Sequence, residues 1–197
     1  MTWQTVFDAT LENDRVRLRP LRASDKEALR KIVFDPAIWR YFVATIDDDA
    51  GLDAFMETAL ADMAAERRAV FVIFDKATDE LVGSMCYGNM AEKDLRLEIG
   101  WSWLGVAYQG TGLNRFAKLA LLTHAFETLG CKRVEFKTDV LNQQARRGLR
   151  NIGATEEGVL RSYNFMPGGR RRDTIFYSIL EDEWPKVKAE LGAMETT

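Results

Sequence analysis

The stretch Gln109-Gly110-Thr111-Gly112-Leu113-Asn114, at mid-chain, constrains the fold more than any other. It stands between a β-rich run, Leu95 to Leu104, and about five turns of helix-periodic sequence that carry Phe116, Leu119, Leu122 and Phe126 and close at Gly130. Strand, glycine turn and helix in that order make an α/β unit. Glycines let the backbone come close to a ligand, and the free N–H groups and positive dipole end of a first helical turn favour an anion such as a phosphate. The same glycines would also serve a turn that needs them for its dihedral angles alone, and both readings stand at this point. No Gly-Lys-Ser/Thr closes the stretch as in a P-loop, and no third glycine completes a dinucleotide-binding fingerprint.

The rest of the chain supplies a sheet around that turn. Arg15 to Leu21 alternates as a half-buried strand, and Ser24 is an N-cap candidate for a helix through Val33. Asp47 to Asp49 precede an amphipathic helix that carries Leu52, Phe55, Met56, Leu60 and Met63 and ends near Arg67. Val70 to Phe74 and Leu81 to Tyr87 read as antiparallel strands joined by Lys76 to Glu80. After Gly130 come a strand at Arg133 to Thr138, a helix at Asn142 to Asn151, and strands at Thr155 to Arg161 and Asp173 to Leu180. Pro167-Gly168-Gly169 turns between the last two strands, and Trp184 to Leu191 forms a final helix. Antiparallel strands first and strand-helix alternation later predict an α/β fold, a mixed and mostly antiparallel sheet of about seven strands flanked by helices.

Composition narrows the class. With 197 residues, 47% of them hydrophobic, one domain over 1–197 suffices, and no linker or repeat divides it. A net charge of -3 lacks the broad positive field of a protein that coats nucleic acid. The N-terminal stretch shows no cationic lead into an apolar run, and nowhere do about 18 apolar residues follow one another, so no membrane partner and a cytoplasmic location are expected. Cys86, Cys131 and the only histidine, His124, cannot assemble a zinc site, and no metal is expected.

The turn resembles the Gln/Arg-x-x-Gly-x-Gly/Ala pyrophosphate loop of the GNAT acetyltransferases, with Gln109 and Gly112 matching and Asn114 where Gly or Ala is usual. Asn142-Gln143-Gln144-Ala145 is similar to the family's Asn-x-x-Ala/Ser element, and Gly153-Ala154 to its closing Gly-Phe/Ala. Longer blocks are Glu98-Ile99-Gly100-Trp101, the run from Leu121 to Glu127, Phe136 to Asp139, Glu157 to Arg161, Arg172-Asp173-Thr174 and Tyr177 to Leu180. These resemble the ribosomal-protein N-terminal acetyltransferase (RimJ/RimL-like) branch, which also contains small-molecule acetyltransferases. The resemblance covers most of the chain. It implies the GNAT fold, acetyl-CoA as co-substrate and an amine acceptor, and it leaves a homodimer open.

The resemblance also implies roles. Backbone N–H groups of Gly110, Thr111, Gly112, Leu113 and Asn114, beside Gln109, would hold the CoA pyrophosphate, while Leu104 and Val106 would meet the pantetheine arm and Asn142 would anchor it. The Leu104 amide would face the acetyl carbonyl, and Ser102 or Gly105 would form the bulge that opens the strand, because Val106 replaces the usual Pro. The family's thiolate-protonating Tyr is absent, since Leu149 stands in its place. Some other donor, or water, must serve, and Tyr163 is the side chain to weigh against plain packing.

The residues themselves suggest a base. Glu98, among Leu97, Ile99, Trp101 and Trp103, is the first candidate, with Asp139 second. The competing reading pairs Glu98 with Arg96 or Arg133, or leaves it simply solvated. His124 reads as packing. Trp39, Tyr41 and Phe42 border the acceptor side in this superfamily, or are core. Arg170 to Arg172 read as a solvated loop, or as a contact for an acidic protein tail or the CoA 3′-phosphate. The expected acceptor is a primary amine, first a protein or peptide N-terminal α-amine. The alternatives are a small amine such as a polyamine or antibiotic, or a CoA-binding module without turnover.

Overall fold

The structure is a computed structural model that describes residues 3–193; residues 1–2 and 194–197, the ends of the expected 1–197 domain, lie outside the described residues. In chain order the elements are β1 (Leu11–Glu12), β2 (Val16–Pro20), α1 (Lys26–Arg30), α2 (Pro36–Trp39), α3 (Asp49–Ala64), β3 (Ala69–Asp75), β4 (Glu80–Ala91) and β5 (Arg96–Leu104). There follow α4 (Leu113–Thr123), β6 (Arg133–Asp139), α5 (Gln143–Asn151), β7 (Thr155–Phe165), β8 (Arg171–Leu180) and α6 (Trp184–Ala193). One 8-stranded sheet has the order β1-β2-β3-β4-β5-β6-β8-β7. Only β5 and β6 pair in parallel; every other neighbour pair is antiparallel. The strand beyond the expected set is β1, whose length of 2 residues is too short to show alternation.

Alternation along β3 shows how both sheet faces are covered. Ala69, Phe71 and Ile73 join a core with α4, α6 and the apolar residues of β2, β5, β6 and β8. Val70 and Val72 point the other way, into a second core with Leu29, Ile38, Leu52 and Met56 from the three N-terminal helices.

Three boundaries differ from expectation. Ser24 does not cap a helix: it lies inside a tight turn, Ala23–Asp25, and α1 runs only from Lys26 to Arg30. Asp25 organises this corner, accepting the Arg22 N–H at 2.8 Å and a two-pronged contact from Arg19 at 2.6 and 2.9 Å. The long central helix changes to a π-helical turn at His124–Thr128 before Gly130. Strand β7 continues past Arg161 to Phe165 through a break at Ser162 (φ 55), whose N–H is taken by the Asp173 carboxylate at 2.7 Å.

Register decides where the sheet opens. The β5–β6 ladder consists of Arg96↔Arg133, Leu97↔Val134 and Glu98↔Glu135, after which β5 stays with β4 and β6 stays with β8. Two bulges turn β5 and its neighbour there. On β4 the extra residue falls at Asn89 (φ 47), between Gly88↔Glu98 and Ala91↔Arg96; on β5 it falls at Trp101 (φ 48), between Cys86↔Gly100 and Ser84↔Trp103. Expectation placed the β5 bulge at Ser102 or Gly105. The left-handed residue is Trp101, while Gly105 is extended (φ -52, ψ 145).

Beyond the bulge, β4 and β5 approach so closely that a Cβ on Gly83 would overlap the Trp103 carbonyl oxygen and sit 2.7 Å from Leu104 Cδ2. Gly83→Ala should therefore destabilise the protein by about 1–3 kcal/mol, because backbone on the facing strand cannot yield as a side chain can. Urea unfolding measures it, and an unchanged midpoint would mean that β5 is freer to move than this register implies.

Candidate active site

The opening between β5 and β6 exposes one backbone group of particular use. The Gly105 N–H bonds to the Val82 carbonyl at 2.9 Å, so Leu104, opposite Gly83, occupies the alternate antiparallel position. Its N–H and C=O consequently point away from β4, toward the side that β6 has left. The carbonyl accepts Gln109 Nε2 at 3.2 Å, tying the strand end to the glycine loop. Val106 lies exposed between them.

The loop itself is shaped by Gly110 (φ 78) and Gly112 (φ 89), conformations that L side chains rarely adopt. Gly112 is the N-cap of α4, and the Thr111 hydroxyl donates to the Tyr108 carbonyl at 2.7 Å. Leu113 buries its side chain in the core, so it can offer a ligand only its backbone. Among the described residues no acceptor meets the N–H groups of Gly110 to Asn114, which are first-turn or loop donors next to the positive end of the helix dipole. This arrangement suits a phosphate.

Sequence reasoning missed a cation at this loop. Lys118 is only 8% exposed, donates to Asn114 Oδ1 and has no carboxylate within ion-pair distance among the described residues. Burial lowers its ammonium from the usual range to about 8. The i, i+4 spacing of Asn114 and Lys118 was the available signal. Asn142 spends its Oδ1 on capping α5, accepting the Ala145 N–H at 3.0 Å, and Leu149 lies buried in the core.

On the opposite sheet face, Glu98 is 3% exposed and is not paired with Arg96 or Arg133 as the competing reading expected. Its Oε2 accepts Asn89 Nδ2 at 2.6 Å and Lys137 Nζ at 2.8 Å. Oε1 lies over the Cα of Gly100, where a Cβ would come within 2.6 Å of it. Arg96 and Arg133 turn instead to Glu135. Beside this pair the Trp101 indole lies across Gly88, 37% exposed, with Arg68 5.0 Å and Lys137 5.8 Å from its ring. Nothing in the spacing of Trp101 announced this, because a bulge aims it.

The basic run is not a solvated loop. Arg170, itself exposed, pairs with the fully buried Asp139, Arg172 is buried beneath the Tyr41 carbonyl, and Arg171 stays outside, over Phe165 at 4.2 Å. Tyr163 packs edge-on against Phe176 at 5.6 Å and is 43% exposed. Trp39 is core, with its indole N–H on the Val33 carbonyl at 2.8 Å, yet it also borders a cleft of about 240 Å³ with Phe42, Asp47, Met166 and Arg170. Asp48 caps α3 and Asp49 pairs with Arg30 at 3.0 Å, while Asp47 accepts the Thr45 hydroxyl at 2.9 Å and lines that cleft. His124 stacks on Tyr87 at 6.0 Å, and burial lowers its pKa. The thiols of Cys86 and Cys131 are pushed up to about 12 by burial. Among the described residues no helix is long and apolar enough to cross a membrane, and no cluster of metal-ligating side chains occurs.

Residues 15–155 match the acetyltransferase (GNAT) domain family. YdaF of Bacillus subtilis (strain 168), assigned as a ribosomal N-acetyltransferase, is 26% identical over 185 residues, covering 89% of this chain and 97% of that protein. A T. thermophilus protein of known crystal structure, assigned as an acetyltransferase, is 34% identical, with a TM-score of 0.86 over 95% of this chain and 97% of that one. Mycobacterium smegmatis RimJ, solved in complex with CoA-disulfide, shares the fold at a TM-score of 0.81 and 23% identity, over 96% of each chain.

Burial of Lys118 has a consequence in the absence of ligand. Its folded pKa, about 8, lies below the ordinary lysine value of 10.5, so the unfolded chain binds more protons between those values and stability rises as the pH increases through that window. Lys118→Met should remove this rise and add on the order of 1–3 kcal/mol at pH 7. Denaturant midpoints from pH 7 to 10 check it; parallel curves for the two proteins would show that Lys118 is solvated.

Proposed function

The chain belongs to the acetyltransferase (GNAT) family, and from that premise we propose that it transfers the acetyl group of acetyl-CoA to the α-amine of a protein or peptide N-terminus. The observation that carries the reading is the alignment of two features on one strand-turn-helix unit: the unpaired Leu104 amide at the β5–β6 opening, and the free N–H groups of Gly110 to Asn114 just beyond it. On this reading the loop amides and Lys118 hold the pyrophosphate, Val106 and the Asn142 amide nitrogen flank the pantetheine arm, and the thioester carbonyl lies at Leu104. A backbone donor aimed at the developing oxyanion contributes about 3 kcal/mol in acyl transfer. The RimJ complex with CoA-disulfide supports the co-substrate, and the assignment of YdaF supports a ribosomal, hence cytoplasmic, acceptor.

Glu98 is the base in this scheme. Both of its protein donors use Oε2, which leaves Oε1 to take a proton from the amine through water. The demand on it is small. At pH 7 roughly one α-amine in eight is neutral, against about one lysine amine in 2,500, a difference of about 3.5 kcal/mol. Tyr163 stands on the sheet's edge strand, three strand spacings or about 14 Å from β5, so water rather than Tyr163 serves the departing thiolate. A polyamine would want an acidic cleft, and of Asp47 to Asp49 Asp47 alone lines the cleft, beside Arg40 and Arg170, while Asp48 and Asp49 are otherwise engaged.

Three measurements test these roles. Gly112→Val should abolish acetyl-CoA binding by calorimetry, because a β-branched residue cannot hold φ 89; a folded variant of unchanged affinity would remove the loop assignment. Glu98→Gln should lower kcat about tenfold or more with the KM for acetyl-CoA unchanged, and the deficit should shrink as rising pH deprotonates the amine. Wild-type turnover by that variant at every pH would return Glu98 to a structural role. For the acceptor, kcat/KM at pH 7 should favour short peptides over spermidine.

A further inference from the structure

The charges on the acceptor side of the site pair off unevenly. Glu98 is matched by Lys137 at 2.8 Å, and Asp139 by Arg170. Arg172 is left over. It is 7% exposed, and among the described residues it has no carboxylate within ion-pair distance. One hydrogen bond is formed, from Nη1 to the Tyr41 carbonyl at a long 3.4 Å, while Nε is buried with no partner and Nη2 donates to no described residue. Nε and Nη2 form the edge of a guanidinium that grips the two oxygens of a carboxylate in parallel.

Placement makes this edge functional rather than incidental. On β8, Arg172 lies opposite Asn164 of β7 and two residues from Thr174, the partner of Asp139 at the open end of β6. The Tyr41 carbonyl follows α2 in the chain, next to the cleft bordered by Trp39, Phe42, Met166 and Arg170. Asp139, Arg170, Glu98 and Tyr163 all act electrostatically on its guanidinium, so it shares one field with Glu98, the base of the proposed scheme. Burying an arginine whose donors are unmet is a net cost to the fold, and an anion from outside the chain offsets it.

Resting on the acetyl-transfer reading of this site, we propose that Arg172 binds a carboxylate of the acceptor, so that the preferred substrate is an amine with an acidic group a few bonds away. Two sources supply that chemistry: the α-carboxylate of a free amino acid, or an Asp or Glu side chain near a peptide N-terminus. With Lys137, Arg170 and Arg172 set against Glu98 and Asp139, and Arg40 beside Asp47 in the adjoining cleft, cations outnumber carboxylates and the site repels a polyamine.

The test compares acceptors with and without the carboxylate, with acetyl-CoA as donor and rates expressed per neutral amine because the carboxylate of a free amino acid raises the pKa of its own amine: alanine against alaninamide, and Ala-Glu-Gly-amide against Ala-Gln-Gly-amide. One of the two acids should exceed its neutral counterpart in kcat/KM by about tenfold or more, which also identifies the source. Arg172→Met should abolish that preference and leave the KM for acetyl-CoA unchanged. Its Tm should not fall, since no internal ion pair is lost; a residue held for structure would lower it. Arg172→Lys should retain part of the preference. Equal rates for acid and amide in both wild-type pairs, a comparison that needs no variant, would overturn the inference, as would a preference that survives Arg172→Met. Acetylation of neutral amines without any acid preference sinks this inference alone, whereas acetyl-CoA binding with no amine acetylated sinks the transfer reading as well.

Discussion

The short parallel pairing of β5 with β6 is the constraint on which the rest of the molecule depends. Among the described residues the ladder pairs the two strands only from Arg96 to Glu98 on one side and Arg133 to Glu135 on the other, with the Leu95 carbonyl accepting the Lys132 and Arg133 N–H groups at its start. Beyond that each is held by its antiparallel neighbour, β4 or β8, so the strands separate without leaving the sheet. Backbone groups opened in this way would be costly in a dry core, yet they become useful donors at an opening that a ligand can enter. Leu104 points its amide there, and the loop that follows carries its own unmatched N–H groups onto the start of α4.

Glycines and bulges make that opening compatible with a packed sheet. Gly83 permits β4 to follow β5 closely past the bulge, Gly88 receives the Trp101 ring, and Gly100 leaves room for the Glu98 carboxylate. The bulge at Asn89 places its amide on the same carboxylate at 2.6 Å. One carboxylate is thus buried with a cation and an amide on one of its oxygens, which is how a buried charge is tolerated while its second oxygen stays available.

Cations stand at both ends of the site with incomplete partners. Lys118 lies beside the loop and donates to a neutral amide, and Arg172 lies on β8 with one long bond to a carbonyl. Each is at least nine-tenths buried. In a chain of net charge -3, two such residues flanking one opening place local positive potential where the overall composition gives none.

The strand-turn-helix around Gln109 to Asn114, the later strand-helix alternation and the resemblance they carry were legible from residue types, because glycine placement and apolar period are local properties. The sequence alone also brought Glu98 into view, as a carboxylate between apolar neighbours on a strand. Its partner was not legible: Lys137 lies 39 positions away and meets Glu98 only because β5 and β6 run side by side up to that point. The three arginines at 170 to 172 read alike in sequence, yet Arg170, just before β8, turns to Asp139, while strand β8 sends Arg171 outward to Phe165 and Arg172 into the interior. Trp101 and Asn89 escaped notice because each bulge shifts the period-2 rule by one residue. Local chemistry therefore determined the fold class and the glycine turn at the start of α4, while only the tertiary structure decided which charges meet, since strand register and the two bulges set the distances between groups far apart in the chain.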